Sequence, residues 1–190
     1  TDTARHAHVK LPALGWGEKD GTVTNSERRI SRQRPFLAMP GEAWGDWKII
    51  AEVGKRMGFA EAFNWQSPAD IFAEFAALSG TKNEGARDFD ISALSDVKAE
   101  SYDRLPPFQW PRPKDAHADP ARFFGNGKFY TPDRKARFVA VTPPSARLDS
   151  GLVLNTGRVR DHWHTMTRTG KSVRLSQHIA EPYCEINPQD

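Results

Sequence analysis

Residues 152–169 read LVLNTGRVRDHWHTMTRT, and this stretch carries the strongest structural and chemical signal in the chain. The apolar run 152–154 predicts a β-strand, and Gly157 predicts a tight turn soon after it. From residue 156 to residue 175, five basic side chains stand against Asp161 as the one acidic residue, so five charges less one leave +4. Arginine forks and the backbone N–H groups of a glycine turn both bind oxyanions. The pattern therefore predicts a loop that holds phosphate groups and a flat, polar heterocycle.

The residues alone leave two other interpretations of this loop open. It could be a solvated basic turn that binds nothing. It could also hold a metal ion, since His162 and His164 stand two residues apart and Asp161 lies beside them. Zinc usually has four ligands, and the remote His178 or Cys184 would have to complete the set without any familiar spacing. Metal binding is therefore the weaker alternative.

Three segments of the chain resemble the molybdopterin oxidoreductase family, and within it the bacterial assimilatory nitrate reductases. The first is NTGRVRDHWHTMTR at residues 155–168, which is similar to a loop of the family's C-terminal dinucleotide-binding domain. The second is GWGEKDGTVTNSERR at 15–29, and the third is FYTPDRKARF at 129–138. By this resemblance the chain is identified as a C-terminal fragment of such an enzyme, and family members continue beyond the position of Asp190.

The resemblance implies both a function and a cofactor. Enzymes of this branch reduce nitrate to nitrite at a molybdenum ion held by molybdopterin guanine dinucleotide (bis-MGD). Their iron–sulfur cluster and molybdenum-binding cysteine lie far upstream of anything in this sequence. No catalytic residue and no metal ligand is therefore assigned here, and the fragment by itself is expected to be inactive. The alternatives are another molybdopterin oxidoreductase, of the formate dehydrogenase or periplasmic nitrate reductase type, or a non-enzymatic basic module that binds nucleotides or nucleic acid.

The resemblance also places the cofactor-binding residues at ten consecutive positions. They are Thr156, Gly157, Arg158, Val159, Arg160, Asp161, His162, Trp163, His164 and Thr165. Arg158 follows the glycine directly and would bind a phosphate, and the two histidines would donate toward pterin or phosphate oxygens. The indole of Trp163 would pack or stack on a flat ligand face.

The fold class predicted for the whole chain is α+β, with a helical N-terminal part at residues 1–110. Residues 15–34 predict a hairpin. Helices are predicted from Asp46 to Gly58 and from the capping residue Ser67 to Gly80. Shorter helices are expected around 91–94 and 97–105. The predicted buried faces consist of Trp47, Ile49, Ile50, Val53 and Met57 in the first helix and of Ile71, Phe72, Phe75 and Leu78 in the second.

A proline-rich stretch predicts the domain boundary. Five prolines lie between residues 106 and 120, and we place an extended linker at 111–120. Beyond it the apolar pattern shifts to a period of two, so residues 128–131, 136–142 and 152–155 predict strands. By resemblance, residues 121–190 form the N-terminal portion of a dinucleotide-binding double-psi β-barrel. Its open strand edges predict possible self-association.

Composition excludes several classes of protein. The chain is 38% hydrophobic and 27% charged, it has no run long enough to span a membrane and no signal peptide, and a cytoplasmic location is expected. Cys184 is the one cysteine, which excludes an internal disulfide and four-thiolate iron–sulfur ligation, and we predict it to be half-buried. The net charge of +3 is small, and residues 59–105 carry −5 (four bases less nine acids), which argues against nucleic acid. The expected partners are the remainder of the catalytic chain, the molybdenum cofactor and an electron donor that the sequence does not identify.

Overall fold

The computed structural model of the protein describes residues 2–115, 122–143 and 151–190, and the chain divides into two compact units. One unit comprises residues 9–139, and the other comprises residues 1–8 with 140–190. The linker predicted at 111–120 includes residues 116–120, which lie outside the described part, so the linker stays a prediction. The helices and strands in chain order are α1 (Asp2–Arg5), β1 (Gly21–Thr24), β2 (Arg29–Gln33), α2 (Asp46–Gly54), α3 (Pro68–Gly80), α4 (Ala99–Asp103), β3 (Phe108–Gln109) and α5 (Val173–Ser176).

The predicted hairpin is present in the unit 9–139. Strands β1 and β2 pair antiparallel with Thr22 opposite Arg32, and β3 pairs antiparallel with the other edge of β2. In the connecting turn, the side-chain oxygen of Asn25 accepts the backbone N–H groups of Glu27 (2.9 Å) and Arg29 (3.0 Å). This local bonding is the reason that an asparagine favours the turn. The result is a three-stranded antiparallel sheet beside helices, which confirms the α+β class.

Helix α3 begins and ends where the sequence predicts. The Asp70 carboxylate accepts the backbone N–H of Ser67 at 2.9 Å, and Pro68 occupies the first turn, where no N–H partner is needed. Phe72 is buried as predicted and Ile71 is half-buried, but the prediction is wrong for Phe75 and Leu78. The inward residues are small, whereas Phe75 and Leu78 are 52% and 58% exposed.

The small inward residues of α3 let it approach the rest of the core closely. Ala69 and Ala76 are almost fully buried, and Ser79 is buried at the end of the helix. The two alanines pack in one cluster whose other buried members are Ile30, Phe72, Ile91, Tyr102, Leu105 and Phe108. The cluster therefore joins α3, α4, β2 and β3. The helices predicted around 91–94 and 97–105 are confirmed as a 3₁₀ turn at Ser92–Leu94 and as α4.

The face predicted to be buried in α2 is only partly so, with Trp47 and Ile49 half-buried. The α-helix is followed directly by a π-helical turn at Lys55–Phe59. Within this turn Gly58 has a non-helical φ of 97°. Ala51 and Gly54 are buried, and Gly54 lies close to Phe63, since a Cβ at position 54 would be 2.6 Å from a carbon of that ring. Ile50, Val53 and Met57 are instead exposed by 60%, 46% and 68%.

The strands predicted after residue 121 are not formed, which corrects the expectation for 128–131, 136–142 and 152–155. The described residues 122–143 and 151–190 contain turns, 3₁₀ turns and α5, but no strand. At 129–134 the N–H of Phe129 donates to the carbonyl of Arg134 at 3.0 Å, yet the pairing extends no further. Phe138 and Leu154 are 99% and 82% exposed, so these runs have neither a ladder partner nor an apolar face to pack on. The double-psi barrel is therefore not seen.

Cys184 is exposed rather than half-buried, since no strand forms around it. No helix within the described ranges is long and apolar enough to cross a membrane.

Candidate functional site

The predicted cofactor loop lies in the unit formed by residues 1–8 and 140–190. Its side chains are exposed or half-buried, and a 3₁₀ turn occupies His164–Met166. The guanidinium of Arg158 lies 5.0 Å from the ring centre of Trp163, close enough for a cation–π contact. The indole in turn meets the ring of His164 edge-on at 4.6 Å. The structure thus brings three of the ten predicted residues together into one small cationic and aromatic group.

A second group surrounds Asp161. The Arg160 guanidinium donates to both carboxylate oxygens at 3.2 Å, and His178 Nδ1 lies 2.6 Å from Oδ2. The hydrogen bond from Arg160 lowers the pKa of Asp161, and the nearby His178 and His162 act in the same direction. Arg160 is therefore engaged within the chain, whereas Arg158 has no carboxylate partner in the described residues. His178 lies in this group although it is not among the ten predicted residues, because a spacing of seventeen residues gives no local signal.

His162 has one ring nitrogen in contact and one without a partner. Its Nδ1 contacts the sulfur of Met166, while Nε2 is buried and has no hydrogen-bond partner. A buried polar atom without a partner is costly, so such an atom points to a ligand or to an ordered water. The adjoining residues His164, Thr165 and Met166 all have positive φ values, of 39°, 56° and 58°. Positive φ costs free energy for these residue types, and such strain is often found at binding sites.

The donor chemistry of the loop fits an oxyanion-containing group such as the dinucleotide that the resemblance implies. Arg158, Arg168, Lys171 and Arg174 present exposed cations, and Thr165 and Thr167 add hydroxyl groups that lie 3.2 Å apart. Gly157 has open space around it, since a Cβ placed there would meet no atom within 4 Å. The close approach predicted at the glycine is therefore not made by the described atoms, and it would have to be made by the ligand itself.

The alternative metal site gains no support from the geometry of the loop. Among the described residues, no three His, Cys, Asp or Glu side chains are grouped as a metal ion would need. His178 approaches Asp161, but His162 directs Nδ1 to a methionine sulfur.

The second motif, at residues 15–29, makes contacts within the other unit. Arg28 donates to the carbonyl of Trp110, and its guanidinium lies 4.2 Å from the ring centre of Phe123. It holds a positive φ of 62° in the β1–β2 turn. In the unit 9–139, Arg28 therefore ties the hairpin to the aromatic residues that follow β3, which is a structural role.

Two family models match the chain, one in its first third and one at its end. "Molybdopterin oxidoreductase" matches residues 1–56, and "Molydopterin dinucleotide binding domain" matches residues 152–190. The second match includes all ten predicted loop positions. These matches confirm the resemblance to the molybdopterin oxidoreductases that is seen in the sequence.

Relatives within this family include nitrate reductases. The chain is 51% identical to a nitrate reductase of Klebsiella oxytoca, over 100% of this chain and 22% of that protein. It is 45% identical to a nitrate reductase of Shewanella frigidimarina, over 98% and 21% respectively. It is also 33% identical to an F420-dependent formate dehydrogenase subunit alpha of Methanocaldococcus jannaschii, over 100% and 27%. The chain thus spans roughly a fifth to a quarter of the length of these relatives.

Proposed function

We propose that this chain is part of a molybdenum-dependent nitrate reductase and that residues 156–165 bind molybdopterin guanine dinucleotide in its bis form. The observation that carries the proposal is the donor-rich loop around Arg158 and Trp163, which lies inside the stretch matched to a dinucleotide-binding family. Identity of 51% to a nitrate reductase over the whole chain supports the choice of reaction. The partners in this proposal are the remainder of the catalytic chain, the cofactor and an electron donor.

In this proposal the chain binds and orients, and the bound molybdenum cofactor supplies the two-electron reduction of nitrate to nitrite. Arg158 would form a charge-assisted pair with a phosphate of the dinucleotide, with Trp163 holding the guanidinium in place. His162 would direct Nε2, which lacks a partner in the chain, to a polar atom of the ligand. Arg160 would act through Asp161, by donating to both of its oxygens and keeping that carboxylate ionised.

The proposal includes a double-psi β-barrel for residues 121–190 in the whole protein. The exposed apolar runs at 136–142 and 152–155 have the alternating and β-branched composition of strands. A strand at either run would need ladder partners, which the remainder of a longer chain would supply. A single cysteine supports a cytoplasmic location as a further part of the proposal.

The function is tested in a full-length catalytic chain that carries this segment. We expect molybdenum by elemental analysis and nitrate-dependent oxidation of a reduced viologen dye. The segment by itself is expected to show neither, because it supplies no thiolate ligands other than Cys184. A full-length chain that contains molybdenum but leaves nitrate unreduced would contradict the assigned reaction while leaving the cofactor assignment in place.

A second candidate reaction is formate oxidation, which the 33% identity to a formate dehydrogenase subunit favours. The same purified chain separates the two reactions when it is supplied with formate and an oxidised dye. Formate-dependent dye reduction without nitrate reduction would replace the first assignment with the second. The alternative of a nucleic-acid-binding module predicts salt-dependent binding of mixed-sequence duplex, which filter binding measures.

A further inference from the structure

Helix α3 borders an open groove beside the core cluster. The groove has a volume of about 680 Å³, and its apolar walls are Phe75, Leu78, Phe89 and Tyr130. The rings of Phe75 and Phe89 are 5.4 Å apart. Arg87 and Asp88 lie at its edge, but Arg87 is already held by the carbonyls of Ser79 (3.1 Å) and Thr81 (2.8 Å). The groove is thus an apolar surface with aromatic walls and little unused charge.

The groove makes α3 apolar on two faces. One face is formed by Ala69, Phe72 and Ala76 and is buried in the core. The other is formed by Phe75 and Leu78, which are more than half exposed. A soluble surface helix normally carries one apolar face against the core, so a second apolar face beside the exposed Asp70 and Glu74 is unusual. The second face of α3 therefore calls for an occupant.

The size of the groove and the length of the relatives indicate what that occupant is. A volume of about 680 Å³ takes a few side chains. Eight residues line it, whereas the interface of a stable dimer uses about 20–30 residues on each partner. Roughly four fifths of the length of the Klebsiella relative has no counterpart in this chain, although the whole chain aligns with it. A large amount of polypeptide is thus available to cover the groove.

We propose that the groove beside Phe75 and Leu78 is a docking site for an apolar segment of the remainder of the catalytic chain. The inference rests on the proposed function in one respect, namely that such a remainder exists. The segment inserts a few aliphatic or aromatic side chains between Leu78 and the ring of Phe89. Asp88 and the Tyr130 hydroxyl, at the groove edge, offer it polar contacts.

Two adjacent positions of α3 give a matched test. Leu78 lines the groove, whereas Ala77 is exposed about 100° further round the helix and does not line it. The variants Leu78→Cys and Ala77→Cys are prepared both in this chain and in the full-length catalytic chain. Alkylation by iodoacetamide is followed for each peptide by mass spectrometry, which also separates the native Cys184. In this chain the two introduced thiols are expected to react at similar rates, within about three-fold, since both side chains are exposed.

In the full-length chain, the thiol at position 78 is expected to react at least ten-fold more slowly than the thiol at position 77. Equal rates at the two positions would overturn the proposal. The proposal would also be overturned if the thiol at position 78 reacted more slowly in this chain by itself and the effect increased with the concentration of the chain. The occupant of the groove would then be a second copy. Molybdenum content of the full-length Arg158→Ala variant is measured in parallel. Equal alkylation rates at positions 77 and 78, together with a lower molybdenum content in Arg158→Ala, refute only the proposal for the groove. Slower alkylation at position 78, together with an unchanged molybdenum content in Arg158→Ala, refutes only the proposal for the cofactor loop.

Discussion

Replacement of Arg158 by alanine is the most direct test of the cofactor loop. Arg158 follows Gly157, lies over Trp163 at 5.0 Å and has no carboxylate partner among the described residues. Its guanidinium is therefore positioned by the indole and available to an incoming phosphate. Arg160 is unsuitable for the same test, because its removal would also release Asp161.

The expected magnitude follows from the kind of contact. A hydrogen bond to a charged group contributes about 1.5–3 kcal/mol. Since about 1.4 kcal/mol corresponds to a factor of ten, Arg158→Ala should weaken cofactor binding by roughly ten-fold to a hundred-fold. Arg174 lies on α5 and is exposed to solvent, and exposed ion pairs contribute about 0–1 kcal/mol. Arg174→Ala is therefore the control and should change binding by less than about five-fold.

The assay compares the two variants in a full-length catalytic chain. Each is purified identically and dialysed, and the loss of molybdenum with time is measured by elemental analysis. Changes in affinity at one site are mostly changes in dissociation rate, so the Arg158 variant should lose molybdenum about ten-fold faster or more. Equal loss from the two variants would refute the reasoning, since the loop would then not be the phosphate-binding element.

Three further predictions concern the described fold, measured on this chain by thermal unfolding. Phe108→Ala should lower the free energy of unfolding by about 3–5 kcal/mol, because the residue is 1% exposed. Phe138→Ala is the control and should change the free energy of unfolding little, because Phe138 is 99% exposed. Equal effects of the two substitutions would contradict the assigned core. Gly54→Ala should also destabilise the chain, because its new methyl group would lie 2.6 Å from the Phe63 ring, and an unchanged melting temperature would show that this contact is not tight. Burial by itself raises the pKa of Asp90, but hydrogen bonds from Ser92 and Asn83 outweigh it, so the folded-state pKa is lowered. The stability that Asp90 adds should therefore be complete above the unfolded-state pKa, near 3.9, and be lost as the pH falls through the lower folded-state pKa. The Asp90→Asn variant should lack this pH dependence. An identical loss of stability in acid in the variant would contradict this prediction.

The sequence predicted the turns, caps and helix ends that are set by contacts between residues close together in the chain. The Asn25 turn, the Ser67–Asp70 cap and the end of α2 near Gly58 each depend on residues within a few positions of one another. The loop at 156–165 was likewise visible as a run of donors. Its internal pairing was not visible, because His178 reaches Asp161 across seventeen residues. Strand formation after residue 121 failed as a prediction for a related reason, since a strand depends on a partner that its own sequence does not specify.

The errors on the two helices share one physical origin. In both α2 and α3 large apolar residues were assigned to the core, but apart from Phe72 the buried apolar positions are small: Ala51 and Gly54 in α2, Ala69 and Ala76 in α3. Periodicity reports which faces of a helix are apolar, but it does not say which apolar face meets the chain's own core. Small residues permit close packing within this unit, and the large residues remain outside it. A helix built in this way fits an interior position with protein on both sides, so the misassigned faces are the ones where we expect contacts beyond the chain.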